Sequence, residues 1–510
     1  MAIVNNSDLA DFPPLPSHFK KTKQTDRSQA ISELQQAKPP HTYATLDDLP
    51  DELVLEIVTY LPGIDLHDFQ LPTLLSLSLT TRHLHRIVSN KIYSTYDSYF
   101  CEPFLFLRTI ISNPRLGDSV RHAKFRYGDD AHLDRRRYSP TARDKRIIKE
   151  GMRLLDFPDW KGWATRCNTQ DIELDVLHTA VMLHTPNLVS LEVEDGHISA
   201  YSRAKWPELI KKATTGEHFG NAHRFSSLKS VRIDAQNMVI HHLVPLLRLQ
   251  SLQRLELREL SEIELDMRAP AELRRVLPEG CNNLEELVLE ECSLRFDALT
   301  TLISSAKTLK RFRFDANQES VLLDGSGVML QNALWRQKDS LESLDVYHDP
   351  WHKDDEDPFI HGGLDQFPLL KDLKCPLRMV VYVRAGASAT ILEFLPPNLE
   401  ILCLAVRWGA DEELFLPVLE RMASEYTDTV PRLTALQLNI QVPAEELDYD
   451  WERLVKAYST TGVGLIINRP SDSDDEWGDW RTVSADSEDS SDDSDEVELY
   501  SDSDSSSESS

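Results

Sequence analysis

A chain of 510 residues with 41% apolar content has material for a real core and room for more than one domain. The formal charge of −29 is uneven: residues 471–510 hold sixteen acids and one base, so that segment supplies −15 and leaves −14 for the rest. A body of that sign lacks the clustered Lys and Arg that phosphate neutralisation needs, which argues against a nucleic-acid partner. No run of eighteen apolar residues is present to span a membrane, and the N-terminus lacks the charged-then-apolar layout of a signal peptide. The six cysteines (101, 167, 281, 292, 375 and 403) are scattered without a C-x-x-C, which points to free thiols in a reducing compartment rather than a zinc site. An intracellular protein, cytoplasmic and/or nuclear, is expected.

Residues 1–44 carry Pro13-Pro14-Leu15-Pro16 and a Lys20-Lys21-Thr22-Lys23 cluster but no sustained periodicity, and they read as a disordered leader. The first strong pattern is Leu49–Leu61, LPDELVLEIVTYL. Leu49, Leu53, Ile57 and Leu61 fall at i+4 steps, Val54 and Val58 widen the stripe, and Pro50 suits the first helical turn. A helix this short is unstable alone in water, so the stripe must pack on something. Leu74–Val88 gives a second helical pattern, through Leu77 and Leu84, and Ile92–Tyr96 a short third apolar piece. Three short helices leave apolar positions of the first two without partners.

The run L-P-x-E-L-x-x-x-I-x-x-Y-L, carried by Leu49, Pro50, Glu52, Leu53, Ile57, Tyr60 and Leu61, resembles the F-box, the adaptor-binding motif of ubiquitin-ligase receptor subunits. The second half departs from the usual pattern, with Leu77–Leu84 standing where many F-boxes have a Val-Cys-Lys-Arg-Trp-like run. The resemblance implies that Leu49, Pro50, Leu53, Ile57 and Leu61, with Leu77 and Leu84, dock a Skp-family adaptor and through it a cullin.

After Cys101–Pro114, a further helical stretch, and a short strand at Val120–Phe125, one spacing recurs nine times. Leu188-x-x-Leu191-x-Val193 is followed by equivalent triplets beginning at Leu228, Leu252, Leu284, Leu309, Leu341, Leu370, Leu399 and Leu433, at steps of 24 to 40 residues. The last two apolar residues of each triplet are two apart and point to one side of a short strand, while the first packs beneath them. One such unit cannot bury its own face, but stacked units share a core along a parallel sheet. This resembles a leucine-rich-repeat solenoid, and the whole layout resembles fungal F-box/leucine-rich-repeat proteins. Cys292 and Asn317 fall at the family's turn-filling position, where a side chain satisfies backbone groups left by the bend. Residues 129–187 fit the spacing least: Asp171–Leu183 has helical periodicity, and the basic stretch Asp134–Lys149 reads as a surface loop.

The expected architecture is therefore α/β: a leader over 1–44, an all-helical F-box over 45–100, an irregular solenoid of short parallel strands with helices on its convex side over 101–469, and a disordered acidic tail over 470–510. Residues between the buried ones would line the open side of the sheet. There Arg254/Arg258 and Arg311/Arg313 flank Glu286/Glu290, a pattern suited to cross-strand salt pairing. The same arginines, with Tyr347, are the candidates for binding a protein substrate, since guanidinium groups take carboxylates or phosphates bidentately. The loop Tyr347–Gly363 holds His348, His352 and His361 beside Asp354–Asp357, in spacings that match no common metal motif and suit a solvated loop better. The tail's fourteen serines among sixteen acids suit an acid-directed kinase. No motif proposes catalysis, and no cofactor is expected. The resemblance implies a substrate-recognition subunit of a Skp-cullin-F-box ligase. A leucine-rich-repeat scaffold acting independently of ubiquitination is the alternative.

Overall fold

The computed structural model describes residues 46, 49–60, 70–128, 138–169, 174–196, 205–236, 238, 240–260, 269–316, 326–347, 363–380, 391–407, 412–441 and 451–468. The leader, Leu61, Asn317, the histidines of the 347–363 loop and the acidic tail lie outside them.

The N-terminal part is three helices, α1 (Asp51–Thr59), α2 (Gln70–Ser78) and α3 (Arg82–Ile92). Pro50 sits one residue before α1, as its N-cap. The single helical pattern expected over Leu74–Val88 is two helices. Thr81, extended at φ −141°, breaks the run, and its side chain accepts a hydrogen bond from the Leu84 N–H at 3.1 Å. The apolar piece at Ile92–Tyr96 is no helix either: it is the end of α3 followed by β1 (Thr95–Asp97). The sheet thus begins inside the segment expected to be F-box alone. Val54, Val58, Leu74, Leu84, Ile87 and Val88 form a small core of their own, separate from the main one.

Among the described residues, the strands after the helices form one sheet of twelve parallel strands in chain order. The others are β2 (His122–Gly128), β3 (Ser190–Gly196), β4 (Ser230–Asp234), β5 (Arg254–Arg258), β6 (Glu286–Cys292), β7 (Arg311–Ala316), β8 (Ser343–Tyr347), β9 (Asp372–Pro376), β10 (Ile401–Arg407), β11 (Ala435–Gln441) and β12 (Gly464–Asn468). All nine triplets end in a strand, in register. Leu191, Val231, Leu255, Leu287, Phe312, Leu344, Leu373, Leu402 and Leu436 form one ladder, and Val193, Ile233, Leu257, Leu289, Phe314, Val346, Cys375, Leu404 and Leu438 the next. Parallel neighbours need a crossover, and each crossover lays its helix or 3-10 turn on the ladder side, producing one continuous core.

Cys292, the last residue of β6, is fully buried, with Sγ 3.3 Å from the Glu290 carbonyl oxygen and 3.5 Å from that of Leu257. Glu259, just past β5, and Glu291, inside β6 where the register with β7 shifts between Leu289 and Cys292, adopt φ of 55° and 54°.

Between β1 and β2 lie α4 (Pro103–Ser112) and α5 (Pro114–Ser119), and among the described residues between β2 and β3 lie α6 (Ala142–Leu155), α7 (Trp160–Cys167) and α8 (Leu174–Leu183). The surface loop expected over Asp134–Lys149 is instead, from Ala142 on, the start of α6. A reciprocal capping box between Thr141 and Asp144 opens that helix. Asp144 is buried and pairs with the Arg108 guanidinium at 2.9 Å while accepting from Tyr138 Oη at 2.7 Å and Thr141 Oγ1 at 2.6 Å. Arg108 of α4 thus supplies the buried charge that answers Asp144 at the start of this polar stretch. Among the described residues no helix is long and apolar enough to cross a membrane.

Candidate adaptor-docking and recognition surfaces

At 100° per residue, Leu53, Ile57 and Tyr60 of α1 share one stripe, and Val54 and Val58 lie about 100° away on another. The two stripes have opposite fates. Val54 and Val58 are 0% and 3% exposed, in the core with Leu84 and Val88. Leu53, Ile57 and Tyr60 are 50%, 41% and 77% exposed. Arg86 of α3 reaches Asp51, at the start of α1, at 2.8 Å in an exposed pair.

Of the residues that the F-box resemblance implicated, Pro50, Leu53 and Ile57 are exposed, and Leu49 and Leu77 are half-buried against the small core. Leu61 lies outside the described residues. Leu84 is the correction: at 3% exposure it is part of the helices' own core and presents nothing to a partner. It ends the stretch, Leu77–Leu84, that departs from the usual run. Leu55 (42%) and Leu79 (71%) are exposed as well, and neither falls on the i+4 stripe read from the sequence.

On the open face of the sheet the charged residues form a ladder of ion pairs. It starts at Asp97, 3.7 Å from Arg126, which is 3.3 Å from Glu194; Lys124 bridges Glu194 at 2.5 Å and Glu192 at 3.2 Å. Arg232 lies between Glu192 at 3.6 Å and Glu256 at 3.0 Å. Arg254 joins Glu256 at 3.1 Å to Glu286 at 3.2 Å, and Arg258 joins Glu256 at 3.4 Å to Glu290 at 2.8 Å. Arg311 meets Glu286 at 2.6 Å, Arg313 meets Glu290 at 3.2 Å and Asp345 at 3.7 Å, and Lys374 closes the series on Asp345 at 3.7 Å.

The ladder has a vertical order. The side chains of Glu256, Glu286 and Glu290 are 8 to 11% exposed, whereas those of Arg254, Arg258, Arg311 and Arg313 are 33 to 61% exposed, so the carboxylates form the floor and the arginines the outer layer. All four arginines singled out in the sequence are therefore already partnered, and the expected cross-strand pairing is present. Tyr347 ends β8 on the same face, and its side chain is outside the described set. Lys124 and Arg126 were missed although legible: Val120-x-x-Ala123-x-Phe125 has the spacing of the nine triplets and begins the array one unit earlier. Beyond Lys374 the open face changes to Ile401, Cys403 and Ala405, then Ala435, Gln437 and Asn439.

Among the described residues no group of three or more His, Cys, Asp or Glu could hold a metal ion. Burial pushes the Cys167 and Cys292 thiols up to about 12, so neither is poised as a nucleophile.

Residues 46–94 match the family model of the F-box domain, and the match ends one residue before β1. No curated protein matches the chain. F-box domains as a family dock Skp-type adaptors. The chain therefore carries an F-box domain, residues 46–94, joined directly to a twelve-stranded parallel sheet.

Proposed function

We propose that this chain is the substrate-recognition subunit of a Skp-cullin-F-box ubiquitin ligase, with α1 docking the adaptor and the leucine-rich-repeat sheet holding a protein substrate. The observation that carries the reading is the division of labour on α1. The helices complete a core with Val54, Val58, Leu74, Leu84, Ile87 and Val88, yet leave Leu53, Ile57 and Tyr60 in water. An apolar stripe left over after the core is built, inside a segment that matches the F-box, is a docking surface. The nine triplets of equal internal spacing, each delivering two ladder residues, support the leucine-rich-repeat assignment of the sheet. The mechanism is proximity: the adaptor side joins the ligase, the sheet side raises the local concentration of substrate lysines near the charged conjugating enzyme, and no side chain of this chain takes part in the chemistry.

The test is size-exclusion co-elution of the full chain with a Skp-family adaptor, beside Leu53→Asp. A one-to-one complex for the wild type only supports the receptor role. A folded wild-type chain that forms no complex overturns it in favour of a leucine-rich-repeat scaffold acting independently of ubiquitination. Where the complex forms, a substrate is recognised by its accumulation when the chain is deleted, which the scaffold alternative does not predict.

A further inference from the structure

The two ends of the sheet are finished differently. At the β1 end Tyr96 is 0% exposed, with its ring 4.6 Å from that of Phe106 and 5.9 Å from that of Phe125, so the first rung is covered. At the β12 end Leu465 and Ile467 stand in register with the fully buried Leu436 and Leu438, yet are only partly covered themselves. Ile466, on the open face, is 51% exposed. Among the described residues no strand lies on the outer side of β12. Edge strands that avoid pairing carry charges or prolines, and Gly464–Asn468 holds neither. Gly464 donates its N–H to the Thr434 carbonyl at 2.8 Å, and the parallel register turns Gly464, Ile466 and Asn468 to β11. The N–H and C=O groups of Leu465 and Ile467 therefore point out of the sheet.

This edge is complementary to itself. When two copies meet antiparallel about a two-fold axis at Ile466, Leu465 of one faces Ile467 of the other, and each such pair exchanges both of its hydrogen bonds. Ile466 then meets Ile466 of the second copy on the open face, while Leu465 and Ile467 continue the core ladder on the other. With no charge in the strand, no like charges are brought opposite. The preceding helix, Trp451–Ser459, obeys the same symmetry. Its Arg453 reaches back to Glu420 of helix Glu412–Thr429 at 2.7 Å. Val455, 50% exposed, lies about 160° around the helix from Arg453, on the side away from the array. Glu452, Lys456 and Ser459 share that exposed side. An axis normal to the sheet keeps both helices on the convex side and runs them antiparallel. Val455 then meets Val455 of the second copy, and Glu452 and Lys456 each approach the opposite charge.

We propose that the β12 edge is a homodimer interface, in which two copies of this chain pair antiparallel through Gly464–Asn468 about a two-fold axis at Ile466. The sheet then runs on from one chain into the other, with an F-box at each far end and both open faces on one side. One short strand and one helix face make a small contact beside the ~800 Å² per partner of a standard interface, so the dimer is weak, with a Kd in the micromolar range.

The test is sedimentation velocity of the full chain without adaptor, from low to high micromolar concentration. The wild type should shift from 58.3 kDa toward twice that mass as concentration rises. Ile466→Lys, at a position exposed in the single chain, should stay at the monomer mass because it sets two ammonium groups opposite each other. An unchanged urea midpoint in that variant certifies its fold. Ile466→Cys should cross-link two chains under mild oxidation, since the facing Cα atoms of such a pair are ~4.5 Å apart, within the span of a disulfide. Asn468→Cys should not, because its two copies lie roughly 13 Å apart along the paired strands. A wild type that stays at the monomer mass throughout overturns the proposal. So does growth beyond the dimer, and so does equal dimerisation of wild type and Ile466→Lys, which would place the contact elsewhere. None of these outcomes touches the adaptor reading, because the F-box takes no part in the measurement.

Discussion

Leu53 and Val54 are one peptide bond apart and have opposite environments: Val54 is 0% exposed in the helical core and Leu53 is 50% exposed on the outside of the same helix. Substitutions at the two sites should therefore separate folding from docking. Leu53→Asp or Ile57→Asp should leave the melting curve within about 0.5 kcal/mol of wild type and abolish co-elution with a Skp-family adaptor. Leu84→Ala, which empties a core position, should cost about 2–5 kcal/mol in the F-box, read by exchange of the α1 and α3 amides. Loss of adaptor binding in Leu84→Ala without that destabilisation would return Leu84 to the docking surface.

Glu290 lies beneath two arginines, 2.8 Å from Arg258 and 3.2 Å from Arg313, and its carboxylate faces the buried floor of the ladder. Glu290→Gln keeps the shape and removes the charge, so it should destabilise the chain by about 1–3 kcal/mol in urea unfolding. Arg258→Ala should cost less, since that guanidinium is half in solvent and surface pairs contribute ~1 kcal/mol or less. A double-mutant cycle of Glu290 with Arg258 should show a coupling of about 0.5–3 kcal/mol. Strict additivity would mean that the ladder is a solvated array without mutual support.

The Asp144–Arg108 pair is a pH-dependent fastener. Burial opposes the Asp144 charge, but hydrogen bonds from Thr141, Tyr138 and Arg108 outweigh it and hold the carboxyl well below its ordinary value. A carboxylate whose pKa is depressed in the folded chain contributes stability that is present above the unfolded pKa of about 4 and drains away as pH falls through the folded value. Asp144→Asn leaves Arg108 without its buried counter-charge and should cost about 3–5 kcal/mol at pH 7. The difference from wild type should shrink steadily below pH 4. A difference that does not change with pH would show that packing, not charge, holds α6 on α4.

The thiols should react in two classes. Cys101 and Cys281 are half-buried, whereas Cys167, Cys292, Cys375 and Cys403 are buried with their pKa values raised by burial. A thiol reagent at pH 8 should modify Cys281 and Cys101 first, and the four buried thiols at the rate of unfolding. Fast labelling of Cys292 in the native chain would contradict its burial at the end of β6.

The sequence by itself determined the repeat unit and its register. A two-residue period that leaves a buried pair in every unit admits one stacking, so Leu255, Leu287 and Phe312 could be placed side by side from spacing alone. It also determined that α1 has more apolar surface than a small helical core can use. It did not decide which apolar residues are left over, because Leu53 and Val54 differ by only 100° around a helix and the choice belongs to the approach of α3 through Leu84 and Val88. Nor could it foresee α6: a basic, polar stretch becomes a packed helix only where Arg108, thirty-six residues earlier, meets Asp144. The same holds for the arginines of the open face, whose charge was plain but whose partners on the neighbouring strands exist only once the sheet has brought them within 2.6 to 3.7 Å. Local periodicity specifies what a segment can bury, and long-range contact decides which side of it is buried and what answers its charges.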